Sequence, residues 1–244
     1  MEACLFVGPT LYREQIPQGI QRFGPAAMGS VFRAVEAGYR RVGIVDGYFG
    51  NVPSVWHKEI LFAMAAGVEV IGAASMGALR AAELSAFGMV GIGRIYRLFR
   101  SGLWTDDDEV AVIHATESLA FCPVSDAMAN IRFTLRRLRR LGALEPTLER
   151  VLACRMKARH FSQRTHDELE RQAKQLAGDA NANRLMQRFA QEYVDMKKID
   201  ALALVAYLTH ESARTRRPPP WRFPATGHWQ KQFQRDMADI PQLH

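Results

Sequence analysis

Two hydrophobic periods alternate over the first 100 residues, and this alternation constrains the fold more than any other feature of the chain. Three short apolar runs, A-C-L-F-V-G (3 to 8), R-V-G-I-V-D (41 to 46) and V-E-V-I-G-A (68 to 73), are rich in branched residues and are closed by turn formers. Apolar on both pleats, they read as parallel strands buried on two faces. Between them, residues 25 to 38 and 54 to 67 carry helical periodicity and stop at Gly38 and Gly67, where helices commonly close. Ser54 reads as the N-cap of the second helix. Strand, helix and strand in this order predict an α/β fold, a mostly parallel sheet with flanking helices, whose ligand sites gather at the carboxyl edge of the strands.

After residue 100 the strand signals stop and an α-helical region follows. T-D-D-D-E-V reads as a helix start with Thr105 as N-cap and Asp108 three residues on. Another helix runs from Ser125 to Gly142, and residues 145 to 215 read as amphipathic helices that include a capping box from Thr165 to Glu168. R-R-P-P-P-W then breaks the pattern. The expected organisation is a core α/β domain over residues 1 to 142, a helical region over 143 to 216 packed on it, and a basic Pro- and Trp-containing arm over 217 to 244.

Composition narrows the classes. With 48% hydrophobic residues in 244, the chain can bury a large core. Its most apolar stretches, 60 to 74 and 199 to 208, are too short or too interrupted to span a bilayer, and no basic region precedes the apolar N-terminal residues, so a cytoplasmic protein without membrane partners is expected. Cys4, Cys122 and Cys154 lie far apart without a C-x-x-C pair, which argues against a zinc knuckle or a disulfide framework and for small buried hydrophobes. A net charge of +7 attracts anionic partners. No binding fold or aromatic platform accompanies R-R-L-R-R (136 to 140), so nucleic acid is not expected. The acids of D-D-D-E (106 to 109) point in different directions on a helix, with His114 the one histidine nearby, and G-I-G (91 to 93) lacks a dinucleotide fingerprint; neither a metal nor a cofactor is expected.

Ser75 is the residue most suited to chemistry. In G-A-A-S-M-G-A it follows a predicted strand and opens a predicted helix among small neighbours, the setting of a nucleophile elbow, except that the first glycine stands one place early. The backbone N-H of Met76, and one near Gly72, could then meet a developing oxyanion. A serine at this junction equally serves as a helix cap. A base is offered by W-H-K-E (56 to 59). Lys58, the single lysine before residue 157, sits where the apolar helix I-L-F-A-M-A-A begins, and burial beside a positive helix end would lower its pKa. It could instead be a surface lysine. His57 is the rival base or a structural histidine, and Glu59 would orient either or form a surface pair. Asp46 lies at the same predicted edge as Ser75, as a site residue or as the turn Asp before Gly47.

Several of these blocks occur together elsewhere. F-V-G-P-T-L (6 to 11), V-D-G-Y-F-G-N-V-P-S-V-W-H-K-E-I-L (45 to 61), G-A-A-S-M-G-A-L-R-A-A-E-L (72 to 84), F-G-M-V-G-I-G-R-I-Y (87 to 96), D-D-E-V-A-V (107 to 112) and A-N-I-R-F-T-L (129 to 135) resemble, in order, the TfuA-like family. That resemblance implies an accessory protein of YcaO enzymes, which use ATP to activate a backbone amide of a ribosomal peptide. In such a pair the TfuA-like member is understood to hydrolyse the C-terminal thiocarboxylate of a ubiquitin-like sulfur carrier, releasing sulfide for thioamidation, and to help the YcaO partner engage its precursor peptide. The family's Ser-Lys pair would fall on Ser75 and Lys58. The alternative is a non-catalytic adaptor that recruits peptide or carrier to a YcaO enzyme.

Overall fold

A computed structural model of the chain describes residues 3–50, 52–210 and 221–236. Five strands, β1 (Ala3–Phe6), β2 (Ile20–Phe23), β3 (Arg41–Ile44), β4 (Glu69–Ala73) and β5 (Val90–Ile92), form one sheet in the order β2-β1-β3-β4-β5 with every neighbouring pair parallel. The order reverses between β1 and β3, and this switch opens a crevice at the carboxyl edge. Helices α1 (Ser30–Glu36), α2 (His57–Ala65), α3 (Met76–Glu83) and α4 (Gly93–Arg100) alternate with or follow the strands. The three apolar runs form β1, β3 and β4. β2 and β5 leave no such signal in the sequence: each is a short edge strand, I-Q-R-F and V-G-I, too polar or too brief to carry a period.

Alternation along the strands separates two cores. Cys4, Phe6, Val42, Ile44 and Val70 face α1 and α2, where Val31, Ile60 and Ala63 meet them. Leu5, Val45, Ile71 and Ala73 face the opposite way, and that face is covered from far along the chain by α9 (Met196–Thr209) through Ala201, Leu204 and Leu208. Each leucine so buried contributes about 1.5–3 kcal/mol, so the helical region completes the sheet it follows. Before it, α5 (Met128–Arg140), α6 (Pro146–Lys157), α7 (His166–Ala177) and α8 (Asp179–Gln191) enclose a separate cluster that includes Ile131, Leu152, Met156 and Phe189. Finally α10 (Gly227–Asp236) lays Trp229 and Phe233 on Phe32 of α1. Expectations for residues 211–220, the end of the expected helical region included, and for 237–244 lie outside the described residues.

Local chemistry corrects several starts. Ser54 does not cap α2: its hydroxyl donates to the Tyr48 carbonyl at 2.8 Å, and the cap position is Trp56, whose N-H reaches the Glu59 carboxylate at 2.8 Å. T-D-D-D-E-V makes only a 3-10 turn, Asp107–Glu109, with Asp106 rather than Thr105 before it. Its acids are drawn into ion pairs instead: Lys157 meets Asp106, Asp108 and Glu109, the buried Arg164 meets Asp108, and Arg132 pairs with Glu109 at 2.8 Å. Ser125 accepts from the Ile113 N-H at 2.8 Å, so α5 starts at Met128, although it closes before Gly142 as expected. Thr165 caps α7 by accepting from the Glu168 N-H. Of the cysteines only Cys4 is buried, its thiol pushed up to about 12 by burial; Cys122 is partly exposed and Cys154 exposed. No helix among the described residues is long and apolar enough to cross a membrane.

Candidate functional site

Ser75 stands where β4 turns into α3. Ala74 before it has φ +65°, a left-handed value that costs a residue with a side chain about 1–2 kcal/mol, and the Ser75 N-H bonds back to the Ala73 carbonyl at 2.7 Å. The turn is therefore tight and strained, the geometry an elbow requires. Packing enforces it. A Cβ on Gly77 would lie 1.8 Å from the Ile44 carbonyl oxygen, and one on Gly72 would lie 2.0 Å from the Gly77 carbonyl oxygen. The Gly77 N-H also bonds the Val45 carbonyl at 3.1 Å, so α3 is drawn backbone to backbone onto the ends of β3 and β4. Gly72 thus has a packing reason inside β4, and the second glycine of the motif is the other half of the same contact.

The Ser75 side chain makes no cap hydrogen bond, and no other partner holds its hydroxyl among the described residues. The residue is 3% exposed. Met76 opens α3 with its side chain buried against Gly47, and its backbone N-H has no backbone acceptor. A hydroxyl without a partner beside a free amide at a helix start is the pair that acyl transfer needs. A cleft of about 690 Å³ runs along α3, lined by Phe49, Met76, Leu79, Arg80 and Asp106 among others, with Met76 but not Ser75 in its wall.

The W-H-K-E block is spent differently. His57 Nε2 meets Glu83 Oε2 at 2.7 Å, and Arg80 reaches the same oxygen at 2.8 Å. Burial pushes the Glu83 carboxyl up, but the bonds from His57 and Arg80 more than reverse it and leave it below the usual range. Lys58 donates to Thr226 Oγ1 at 2.6 Å and lies 5.7 Å from the Phe223 ring centre, both on the C-terminal arm. Neither base candidate is bonded to Ser75. Glu59 is buried and orients no neighbour: its carboxylate accepts from the N-H groups of Gly29 (3.1 Å), Val31 (2.9 Å), Phe32 (3.3 Å) and Trp56 (2.8 Å), tying the start of α1 to the start of α2. Burial pushes its pKa up, and these donors pull it back only in part. Glu59→Gln would turn an NH₂ toward at least one of these amides. Urea unfolding should show a loss of about 1–3 kcal/mol, the cost of stranding a buried donor, and an unchanged midpoint would contradict this role.

Asp46 is buried at the switch between β1 and β3. It accepts from the Gly8 and Thr10 N-H groups at 2.9 Å each and from the Thr10 hydroxyl at 2.6 Å, so it gathers the loop after β1 rather than forming a lone turn. At 3.9 Å from Asp46 Oδ1 stands the ammonium of Lys197, a residue the sequence reading passed over, which donates to the Val110 carbonyl at 2.9 Å. Nearby, Asn130 bonds Asp195 at 2.9 Å, and Asp200 accepts from the N-H groups of Arg94 and Ile95 to cap α4. The signal available was M-K-K-I-D-A-L, two lysines and an aspartate at the start of an otherwise apolar helix, where a buried charge calls for a partner. Among the described residues no group of three or more His, Cys, Asp or Glu side chains is placed to hold a metal ion.

Comparison with family models matches residues 46–165 to the one described as TfuA-like protein. That span holds Asp46, the W-H-K-E block and Ser75, and it ends before α7. No curated protein matches the chain.

Proposed function

With residues 46–165 belonging to the TfuA-like family, we propose that the chain is an accessory hydrolase of YcaO-dependent peptide thioamidation, with Ser75 as nucleophile toward the C-terminal thiocarboxylate of a ubiquitin-like sulfur carrier. The observation that supports this reading most is the strained elbow at Ala74 and Ser75, whose hydroxyl is free beside a free Met76 N-H. Attack by Ser75 Oγ on the thiocarboxylate carbon would place the developing oxyanion at the start of α3, where the Met76 amide and the helix dipole stabilise it. Sulfide leaves, and water hydrolyses the acyl-serine. The 690 Å³ cleft beside α3 gives an extended carrier tail room to approach. For Lys58 to act as base, its ammonium would first have to leave Thr226.

That engagement of Lys58 favours a second reading, a non-catalytic adaptor for a YcaO enzyme, with the family blocks serving as architecture. The two separate in one assay. Thiocarboxylated carrier incubated with the chain alone should release sulfide, measured by methylene blue, at a rate proportional to the chain. An adaptor would release none without its YcaO partner.

A further inference from the structure

We propose that Lys197 is the base that takes the Ser75 proton, an inference that rests on the reading of Ser75 as nucleophile. Four placements carry it. Ala74 belongs to the same buried cluster as Ala201 and Leu204 of α9, and Ala78, one turn into α3, belongs to the cluster that holds Val110 and Met196. Ser75 lies between those two alanines, and Lys197 follows Met196 and donates to Val110. The Gly77 N-H bonds the Val45 carbonyl at 3.1 Å, so Asp46, next in the chain and 3.9 Å from the Lys197 ammonium, stands beside the start of α3. Lys197 therefore approaches the corner of the sheet that Ser75 occupies from the face opposite α2; its ammonium donates to the Val110 carbonyl and would turn from it to Ser75, while Lys58 and His57 are bonded to Thr226 and Glu83.

Its environment suits a base. The side chain is buried, 4% exposed, and burial pulls its pKa below the ordinary lysine value, while Asp46 and Asp195 oppose the shift. Lys197 lines a cavity of about 70 Å³ shared with Thr10, Asp126, Asn130, Tyr193 and Asp195, enough to hold water. In the step, the neutral amine accepts the hydroxyl proton as the Ser75 Oγ–C bond forms. The C–S bond then breaks and the ammonium returns the proton to the leaving sulfide, giving acyl-serine and hydrosulfide. Water, deprotonated by the same amine, releases the carboxylate and restores Ser75.

The test is the rate at which a fluorophosphonate labels Ser75 in the full chain, read by peptide mass spectrometry. Lys197→Met keeps the length of the side chain and leaves Asp46 with three donors, so thermal unfolding should stay cooperative while labelling slows by about 10²- to 10⁴-fold. Lys197→Arg, which cannot deprotonate, should slow it equally. The unaltered chain should show labelling that rises with pH and levels below the ordinary lysine value, and both variants should lose that inflection. Labelling of Ser75 at the unaltered rate in a folded Lys197→Met, or a loss on Lys58→Met alone, overturns Lys197 as base and leaves Ser75 standing. No labelling of Ser75 in the unaltered chain overturns the nucleophile, and Lys197 with it.

Discussion

Gly77→Ala is expected to cost the fold at least about 3 kcal/mol in urea unfolding, or to prevent folding altogether, because the added carbon has no flexible neighbour to displace. It would lie 1.8 Å from the Ile44 carbonyl oxygen and 2.6 Å from the Ile44 carbonyl carbon, both main chain inside the sheet. Relief would require moving α3 off β3, breaking the Gly77 to Val45 hydrogen bond and opening the gap over Gly72. Overpacking a close-packed interior typically costs 1–3 kcal/mol even where side chains can shift. Backbone cannot shift alone, so this position belongs in the upper tail of single substitutions. A midpoint within error of the unaltered chain would mean that α3 does not approach the sheet so closely.

Ser75→Ala should separate chemistry from stability. If Ser75 capped α3, its loss would cost about 0.5–2 kcal/mol. The hydroxyl makes no cap bond, so unfolding of Ser75→Ala should shift by less than about 0.5 kcal/mol. Sulfide release from a thiocarboxylated carrier, by contrast, should fall by at least about 10³-fold, the scale on which losing a nucleophile acts when the oxyanion donors remain. A stability loss with hydrolysis intact would return Ser75 to a structural role.

The parallel sheet was legible because β1, β3 and β4 are apolar on both faces, and Gly38 and Gly67 end helices with positive φ as their positions suggested. The edge strands were not, since I-Q-R-F and V-G-I are too short for either period to show. The elbow was legible as well: G-A-A-S-M-G contains both the turn and the two glycines that let α3 sit on the sheet. What no local reading could supply was the partner of each polar group. W-H-K-E looked like one catalytic cluster, yet its three polar residues go to Glu83, to Thr226 and to the amides of α1, all distant in sequence. Lys197 was invisible for the same reason. Its neighbours Asp46 and Val110 lie 151 and 87 residues away, and only the return of α9 across the sheet brings them together.

The central claim is that Ser75 carries an acyl group during turnover. The most direct measurement is to mix the full chain with a thiocarboxylated carrier, quench in acid within the first turnovers, and map the protease digest by mass spectrometry. The account predicts a carrier-derived acyl adduct on the peptide that holds Ser75, absent in Ser75→Ala and appearing with stoichiometric sulfide. Sulfide release at full rate without an adduct on Ser75, or with the adduct on another residue, would contradict it.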